Sequence, residues 1–321
     1  MNSRMKILLA YDGSSCADAA LADLRHAGLP REAEAVVLSV AEHWLPMPPP
    51  SSYEFLAPDL SQSPQGSEAE ALALAQRASD YVQSAFPAWE VRAEAASGSP
   101  ARQVIEKAEQ WQADLIVVGS HGHTGLTRLM LGSVSHKVAA NAPCSVRITR
   151  GSADVRTRPV RIILGVDGSA QAELAVDAVA TRAWPEGSEI KVISAIELAF
   201  TPTEETRSLP ESFYSLLEKA GEEQAHMALT RAVERLRNRA GGHFAVTTEA
   251  VLGRAREVIL QQAELWQADL IVLGSHGYGW GERFLFGSVA LAVAIGAACS
   301  VEIVRRRAAE NNGQNHSKKE D

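Results

Sequence analysis

The sequence predicts an α/β fold made of two tandem units, each a five-stranded parallel sheet with helices on both faces. Three observations predict it. First, the chain repeats at a fixed spacing: Asp12 to Asp167, Trp111 to Trp266, Gly119 to Gly274, Gly132 to Gly287 and Cys144 to Cys299 are all 155 residues apart. A period that long is one ordinary domain rather than a solenoid repeat, so the duplication sets the domain count at two. Second, apolar runs of strand length alternate with helical stretches in each unit, the order that builds a mostly parallel sheet. Third, each unit has a wholly apolar run emptying into a glycine turn, Asp114-Leu-Ile-Val-Val-Gly119 and Asp269-Leu-Ile-Val-Leu-Gly274. Such a run reads as a buried parallel strand feeding a loop.

The elements of the first unit follow in order. Residues 6–11 read as a strand and 14–27 as a helix with Ser14 or Ser15 as N-cap. Residues 35–40 form the second strand. Residues 44–66 hold Pro46, Pro48, Pro49, Pro50, Pro58 and Pro64, which makes them an irregular loop, and loops of that length are usually functional or disordered. Then come a helix over 67–85, a strand over 89–95, a helix over 100–111, the strand ending at Gly119, a helix over 133–140 and a last strand over 145–149. The first domain is thus 1–150, with a linker at 151–159. The second domain, 160–306, repeats the order, with a polar loop at 201–211 in place of the Pro-rich one. Arg305 to Asp321 is charged and polar and reads as a solvated tail, disordered over 307–321.

Composition narrows the function classes. A chain of 321 residues, 46% hydrophobic, supports two cores of about 150 residues each. The balance of 31 basic against 39 acidic residues, a net charge of −8, argues against nucleic acid and anionic membrane as partners. No apolar stretch approaches the roughly 20 residues that span a bilayer, and the first residues run directly into a strand. Three cysteines cannot form a paired framework in one chain. Cys144 and Cys299 read as buried thiols, and nothing supports a redox role for Cys16. The setting these features suggest is reducing and cytoplasmic.

The chemistry lies in Gly-x2-Gly-x9-Gly-Ser, present twice as Gly119, Gly122, Gly132, Ser133 and as Gly274, Gly277, Gly287, Ser288. Gly119 and Gly122 let the backbone turn and approach a ligand without a Cβ in the way. Gly132 does so again at a helix entrance whose free N–H groups favour an anion, most often phosphate, with Ser133 adding a hydroxyl. Arg128 and Arg283 hold equivalent places in the nine-residue span, where a guanidinium pairs with terminal phosphates or remains a solvated loop charge. In parallel sheets, ligands sit at the carboxyl ends of strands where the strand order reverses. If strands one and four are neighbours there, Asp12 faces the Gly119 loop, and Asp167 the Gly274 loop. Each aspartate then accepts from a ribose or adenine group or serves as an outer ligand for Mg²⁺, or else merely forms its Asp-Gly turn. For His121 and His276 a structural hydrogen bond is the simpler reading. No P-loop, dinucleotide fingerprint after a first strand, nucleophile elbow or metal-ligand cluster is present. No catalytic residue is assigned.

Both halves resemble universal stress protein domains of the UspA type, over about 5–150 and 160–306. The resemblance rests on Tyr-Asp12-Gly-Ser and Val-Asp167-Gly-Ser, on the two Asp-Leu-Ile-Val-x-Gly-Ser-His-Gly runs, on Gly-Ser-Val at each helix start and on Cys-Ser-Val at each fifth strand. It implies a Rossmann-like fold, of the adenine nucleotide alpha hydrolase-like kind, and ATP as the ligand. Phosphate contacts would fall at Gly119, Gly122, Gly132, Ser133 and Val134, and at Gly274, Gly277, Gly287, Ser288 and Val289. The adenosine end would lie near Asp12 and Val40, and near Asp167 and Ala195. It also implies dimers formed through fifth strands, which a tandem chain makes internally as a pseudo-dimer, with a homodimer as a further possibility.

The halves are not equal. Tyr278-Gly-Trp-Gly-Glu282 adds an indole and a carboxylate where the first half has His123-Thr-Gly-Leu-Thr127, and Ala195 replaces Val40. The helix after Ser288 is apolar on every side, which marks a buried surface between domains or subunits. The first loop therefore reads as the working nucleotide cradle and the second as a frame turned toward packing or regulation. The sequence-based function is an ATP-binding, nucleotide-dependent stress-response regulator with at most slow hydrolysis. The alternative is a dimerisation or scaffold module with vestigial loops.

Overall fold

The computed structural model describes residues 4–42, 65–122, 131–151, 159–197, 211–240, 245–275 and 287–307. In the first half β1 (Met5–Ala10), β2 (Ala33–Ala41), β3 (Glu90–Ser97), β4 (Leu115–Gly119) and β5 (Ser145–Thr149) alternate with α1 (Ser15–Asp23), α2 (Gln65–Ala85), α3 (Pro100–Trp111) and α4 (Ser133–Asn141). The second half repeats this with β6 (Arg161–Gly165), β7 (Glu189–Ile196), β8 (Ala245–Leu252), β9 (Leu270–Gly274) and β10 (Ser300–Val304), and with α5 (Ala170–Ala180), α6 (Glu211–Ala240), α7 (Ala255–Leu265) and α8 (Ser288–Gly296). The repeat holds down to the backbone. Gln112 and Gln267, 155 residues apart, both take the left-handed conformation just past a helix end, at φ 54° and 52°.

All ten strands form one sheet in the order β3-β2-β1-β4-β5-β10-β9-β6-β7-β8. Each half is parallel within itself, and the halves join through the antiparallel pair β5–β10. The pairing that the fifth strands were expected to make is therefore internal. Because β1 lies between β2 and β4, the strand order reverses beside β1 in the first half, and beside β6 in the second. That reversal opens the crevice at the carboxyl ends of the strands.

β4 and β9, buried on both faces, are apolar throughout. In β1, Ile7 and Leu9 face α1 and α2, while Leu8 faces the α3 and α4 side. The expected pair of separate cores is only half right. On the α1/α2 side of the sheet each half has its own core, the second under α5 and α6. On the other side one core runs unbroken under α3, α4, α7 and α8, taking in Val138 and Ala139 together with Val293 and Ala294. This accounts for one side of the all-apolar α8, where Ala290, Val293 and Ala294 are buried and the helix packs beside α7 and α4 over the seam, while Ile295 stays exposed.

Two further expectations are corrected. The first helix stops at Asp23 and passes into a short 3-10 turn at Leu24–His26, with Ser14 as its cap. Arg305 is no part of a solvated tail. Its backbone N–H donates to Ser145 Oγ at 3.1 Å, its guanidinium donates to Ala142 O, and Arg307 pairs with Asp114 at 3.0 Å. Residues that follow a terminal strand look like a tail in the sequence. Here antiparallel docking carries the end of β10 to the start of β5, beside the end of α4. Residues 308–321, the expected Pro-rich loop over 44–64 and the expected polar loop over 201–210 lie outside the described residues.

Candidate functional site

The Asp-Gly-Ser that follows β1 is a turn and a cap in one. Gly13 takes φ +78°, which a side chain rarely tolerates, and the Asp12 carboxylate accepts the Ser14 N–H at 3.0 Å. Ser14 Oγ in turn accepts the Ala17 N–H at 3.2 Å and so starts α1. The second half copies each step: Gly168 at φ +80°, Ser169 N to Asp167 at 2.9 Å and Ala172 N to Ser169 Oγ at 3.2 Å. The turn-forming role of both aspartates is therefore real. A Cβ placed on Gly122 would lie 2.7 Å from Asp12 Oδ2. Asp12 and the glycine loop do share one crevice.

The glycines divide their work differently from the sequence expectation. At Gly119 a Cβ would lie 2.8 Å from the backbone of Cys16, and at Gly274 2.5 Å from that of Gln171. What these two positions admit is the first turn of α1 and of α5, which crosses the strand end. Gly132 and Gly287 do not offer their N–H groups to a ligand, since these donate to Ser120 O at 2.8 Å and Ser275 O at 2.9 Å. The donors left at the helix entrances are the N–H groups that follow. Neither Gly132 nor Gly287 caps with a side chain, so Ser133 and Val134, and Ser288 and Val289, open α4 and α8 with no capping oxygen. Those first turns are the anion-ready part of the motif.

Ser135, not singled out by the motif, donates its hydroxyl to Gly119 O at 2.6 Å and ties the start of α4 to the end of β4. Its counterpart is Ala290, which cannot make that bond. The repeat alignment held this signal. His121 makes the expected structural contact, with Nδ1 3.1 Å from Ser120 Oγ, while Nε2 is buried without a hydrogen-bond partner. Burial, with Arg150 adding to it, lowers its pKa below the ordinary 6.5. Arg128, Gly277, His276, Arg283 and Tyr278 to Glu282 lie outside the described residues.

In the second half Asp167, Ala195, Gly274, Gly287, Ser288 and Val289 line a single cavity of about 440 Å³. Gly221, Gln224 and Ala225 of α6 and Ile193, Ile196 and Ile259 complete its wall. Beside the turn the halves differ in packing: a Cβ on Gly13 would meet Leu74 of α2 at 3.0 Å, whereas one on Gly168 would meet only Ala228 at 3.6 Å, and Gly168 and Ala228 line a separate cavity of about 280 Å³. Val40, on β2 opposite Ala96 of β3, packs against the shared core, and Ala195 takes its place with less bulk. Among the described residues no group of three or more His, Cys, Asp or Glu side chains is placed to hold a metal, and no helix is long and apolar enough to cross a membrane.

The cradle helices are also tied to the opposite half. Arg150, just past β5, donates to Ala294 O at 2.9 Å and Ile295 O at 3.0 Å at the end of α8. Arg305, 155 residues on, does the same for α4 at Ala142 O. A cation there satisfies orphan carbonyls and opposes the negative end of the helix dipole. Cys144 and Cys299 precede the paired strands, and burial pushes both thiols up to about 12. Cys144 is buried as expected, while Cys299 is half-buried.

Comparison with known proteins settles the family. The model of the universal stress protein family matches residues 3–150 and again 160–305. The chain belongs to the universal stress protein family, a stress-response family, twice over. A universal stress protein of Mycobacterium tuberculosis is 27% identical over 321 residues, covering 94% of this chain and 97% of that one. One from Methanocaldococcus jannaschii is 32% identical over 156 residues, or 46% of this chain and 84% of its own. The crystal structure of a universal stress protein from Archaeoglobus fulgidus superposes with a TM-score of 0.61 at 20% identity, covering 94% and 98% of the two chains. A functionally unknown protein from Pseudomonas aeruginosa superposes at 0.60 and 16% identity, covering 99% and 98%. At such identities the structural likeness shows the fold, and the tandem arrangement of two halves is part of it.

Proposed function

We propose that this universal stress protein binds an adenine nucleotide, ATP, and acts as a nucleotide-dependent regulator in a reducing, cytoplasmic setting. The observation that carries the proposal is the cavity of about 440 Å³ lined at once by Asp167, Ala195, Gly274, Gly287, Ser288 and Val289. These residues are scattered over more than a hundred positions of sequence and meet at the carboxyl ends of β6 and β9. The parts fit such a ligand. The first turn of α8 presents uncapped N–H groups to phosphate, the glycine at its entrance keeps that approach open, and Asp167 stands across the crevice for a ribose or adenine donor or a phosphate-bound Mg²⁺. The first half offers the same frame through Asp12, Gly122, Ser133 and Val134.

Slow turnover follows from the same geometry. Phosphoryl transfer to water needs a base aligned on the attacking water, and the described side chains nearest the crevice are engaged otherwise: Asp12 and Asp167 each accept a turn N–H, and His121 Nδ1 lies against Ser120 Oγ. Nucleotide binding without rapid hydrolysis suits a regulator. The test is release of bound small molecules from the purified full chain by heat, with ATP titrated calorimetrically into the emptied protein. Adenine nucleotide in the supernatant and saturable ATP binding are expected. Absence of both would overturn the reading. A scaffold reading draws on the continuous ten-stranded sheet, and it expects Gly132→Val with Ser133→Leu to leave function in cells unchanged.

A further inference from the structure

The strands that join the halves are nearly the same strand. β5 reads Ser-Val-Arg-Ile-Thr and β10 reads Ser-Val-Glu-Ile-Val. Their register sets Ile148 against Val301, Arg147 against Glu302 and Val146 against Ile303. Positions 147 and 302 are equivalent in the repeat and face each other, so the local two-fold axis of the seam passes between them. The contacts that flank this pair along the strands are self-complementary. The valines and isoleucines match, and Ser145 and Ser300 each accept from an arginine backbone N–H of the other half, at 3.1 Å from Arg305 and 3.2 Å from Arg150. The arginine caps on α4 and α8 match too. Two like halves could use every one of these contacts.

They could not use the central pair. Glu302 is 0% exposed and Arg147 1%, and they meet at 3.2 Å. Arg147 also donates to Asp23 of α1 at 2.7 Å, and Glu302 accepts both a 2.7 Å bond and a second, shorter one from Arg182, just past α5. The counterparts of Asp23 and Arg182 across the repeat are Ala178 and Ala27, so neither partner exists in the other half. Burial would push the Glu302 carboxyl up, but Arg182 and Arg147 hold it below its ordinary value; burial likewise opposes the charge on Arg147, which Asp23 and Glu302 sustain.

We infer that the quartet Asp23, Arg147, Arg182 and Glu302 is a pairing selector: the fifth-strand surface of each half accepts the other half and rejects a copy of itself. Joining two first halves in this register would bury Arg147 against Arg147, and joining two second halves would bury Glu302 against Glu302. Like charges directly opposite on paired strands repel; each would keep its own half's partner, Asp23 beside Arg147 or Arg182 beside Glu302, but the attraction across the seam would become repulsion in a dry interface. The apolar residues supply adhesion of either kind, and the charges decide the partner. The surface therefore fits a non-identical half, within the same chain or exchanged with a second copy, and each assembled unit carries one cradle of each kind.

The test keeps the whole protein. A protease site is inserted within residues 152–158 of the full chain and cut after folding, and the cut protein is mixed with an isotopically labelled copy and brought to exchange equilibrium. Native mass spectrometry should then show pairs of one first half with one second half, in at least about a hundredfold excess over like pairs. Glu302→Gln keeps the shape and removes the repulsion between two second halves, so their like pair should rise about tenfold while the pair of first halves stays absent. Like pairs at their statistical share in the cut, unsubstituted protein would overturn the inference, as would dissociation to single halves or no rise with Glu302→Gln. Should Glu302→Gln fail to fold, the exchange of the unsubstituted protein decides alone.

Discussion

The two cradles share a frame and differ in what fills it. Asp12 and Asp167, Gly13 and Gly168, Gly119 and Gly274, Gly132 and Gly287 make the same turns and the same backbone bonds. Around them the first half places Leu74 and Val40 where the second has Ala228 and Ala195; Ala195 lines the cavity of about 440 Å³ and Ala228 a neighbouring one of about 280 Å³. The sequence expectation of the first loop as the working cradle turns on residues 123–127 and 278–282, which lie outside the described residues. The difference teaches that a loop motif fixes the geometry of approach, whereas the helix roofing it fixes how much room a ligand finds.

The largest effect should come from attacking the shared frame. Gly119→Val and Gly274→Val each drive a side chain into the first turn of the helix crossing the strand end, and each should cost about 3 kcal/mol in chemical denaturation. Equal losses would show that the frame is one device used twice. A loss in one half alone would show that the halves have drifted apart in structure as well as filling.

Next come exchanges of filling. Ala195→Val gives the second cavity the first half's side chain at that position and should weaken nucleotide binding there by about tenfold in calorimetry, while Val40→Ala should strengthen binding in the first half. If neither change moves affinity, the room at that position is irrelevant to the ligand. Gly122→Ala should be milder for folding than Gly119→Val, because it meets a side-chain oxygen of Asp12 rather than backbone, and its effect should show mainly in first-half ligand binding.

The smallest effect concerns His121. Its folded-state pKa is lowered, so in the unfolded chain it takes up a proton at a pH where the folded protein does not. Its contribution to stability is therefore present above about 6.5 and is lost as pH falls below that value. His121→Gln should flatten the dependence of Tm on pH between about 7 and 5. An unchanged slope would remove His121 from the account.

Much of this was legible because the repeat acts as an internal control. Strands wholly apolar on both faces announce themselves, and α3 and β5 fall where the spacing sets them. The Asp-Gly-Ser turns were readable because Gly13 and Ser14 have few other uses in that order. The role of Gly119 was not, since a glycine written for a ligand and one written for a crossing helix look alike until the helix is seen. Ser135, Leu74 and Ala228 act through elements distant in sequence, and no local pattern marks them. Arg147 and Glu302 were hidden for a related reason: a charge inside a short apolar strand gains its meaning only from the strand laid against it.

That last pair has a consequence at the level of the gene. Duplicated segments exchange sequence by copying one repeat over the other, and such copying is harmless wherever both repeats need the same residue. At codons 147 and 302 it would set two like charges against each other in a dry interface, and changing either residue alone removes the ion pair across the seam. The two halves can still borrow from one another almost anywhere along their length, but here the duplication has passed a point from which no single step leads back.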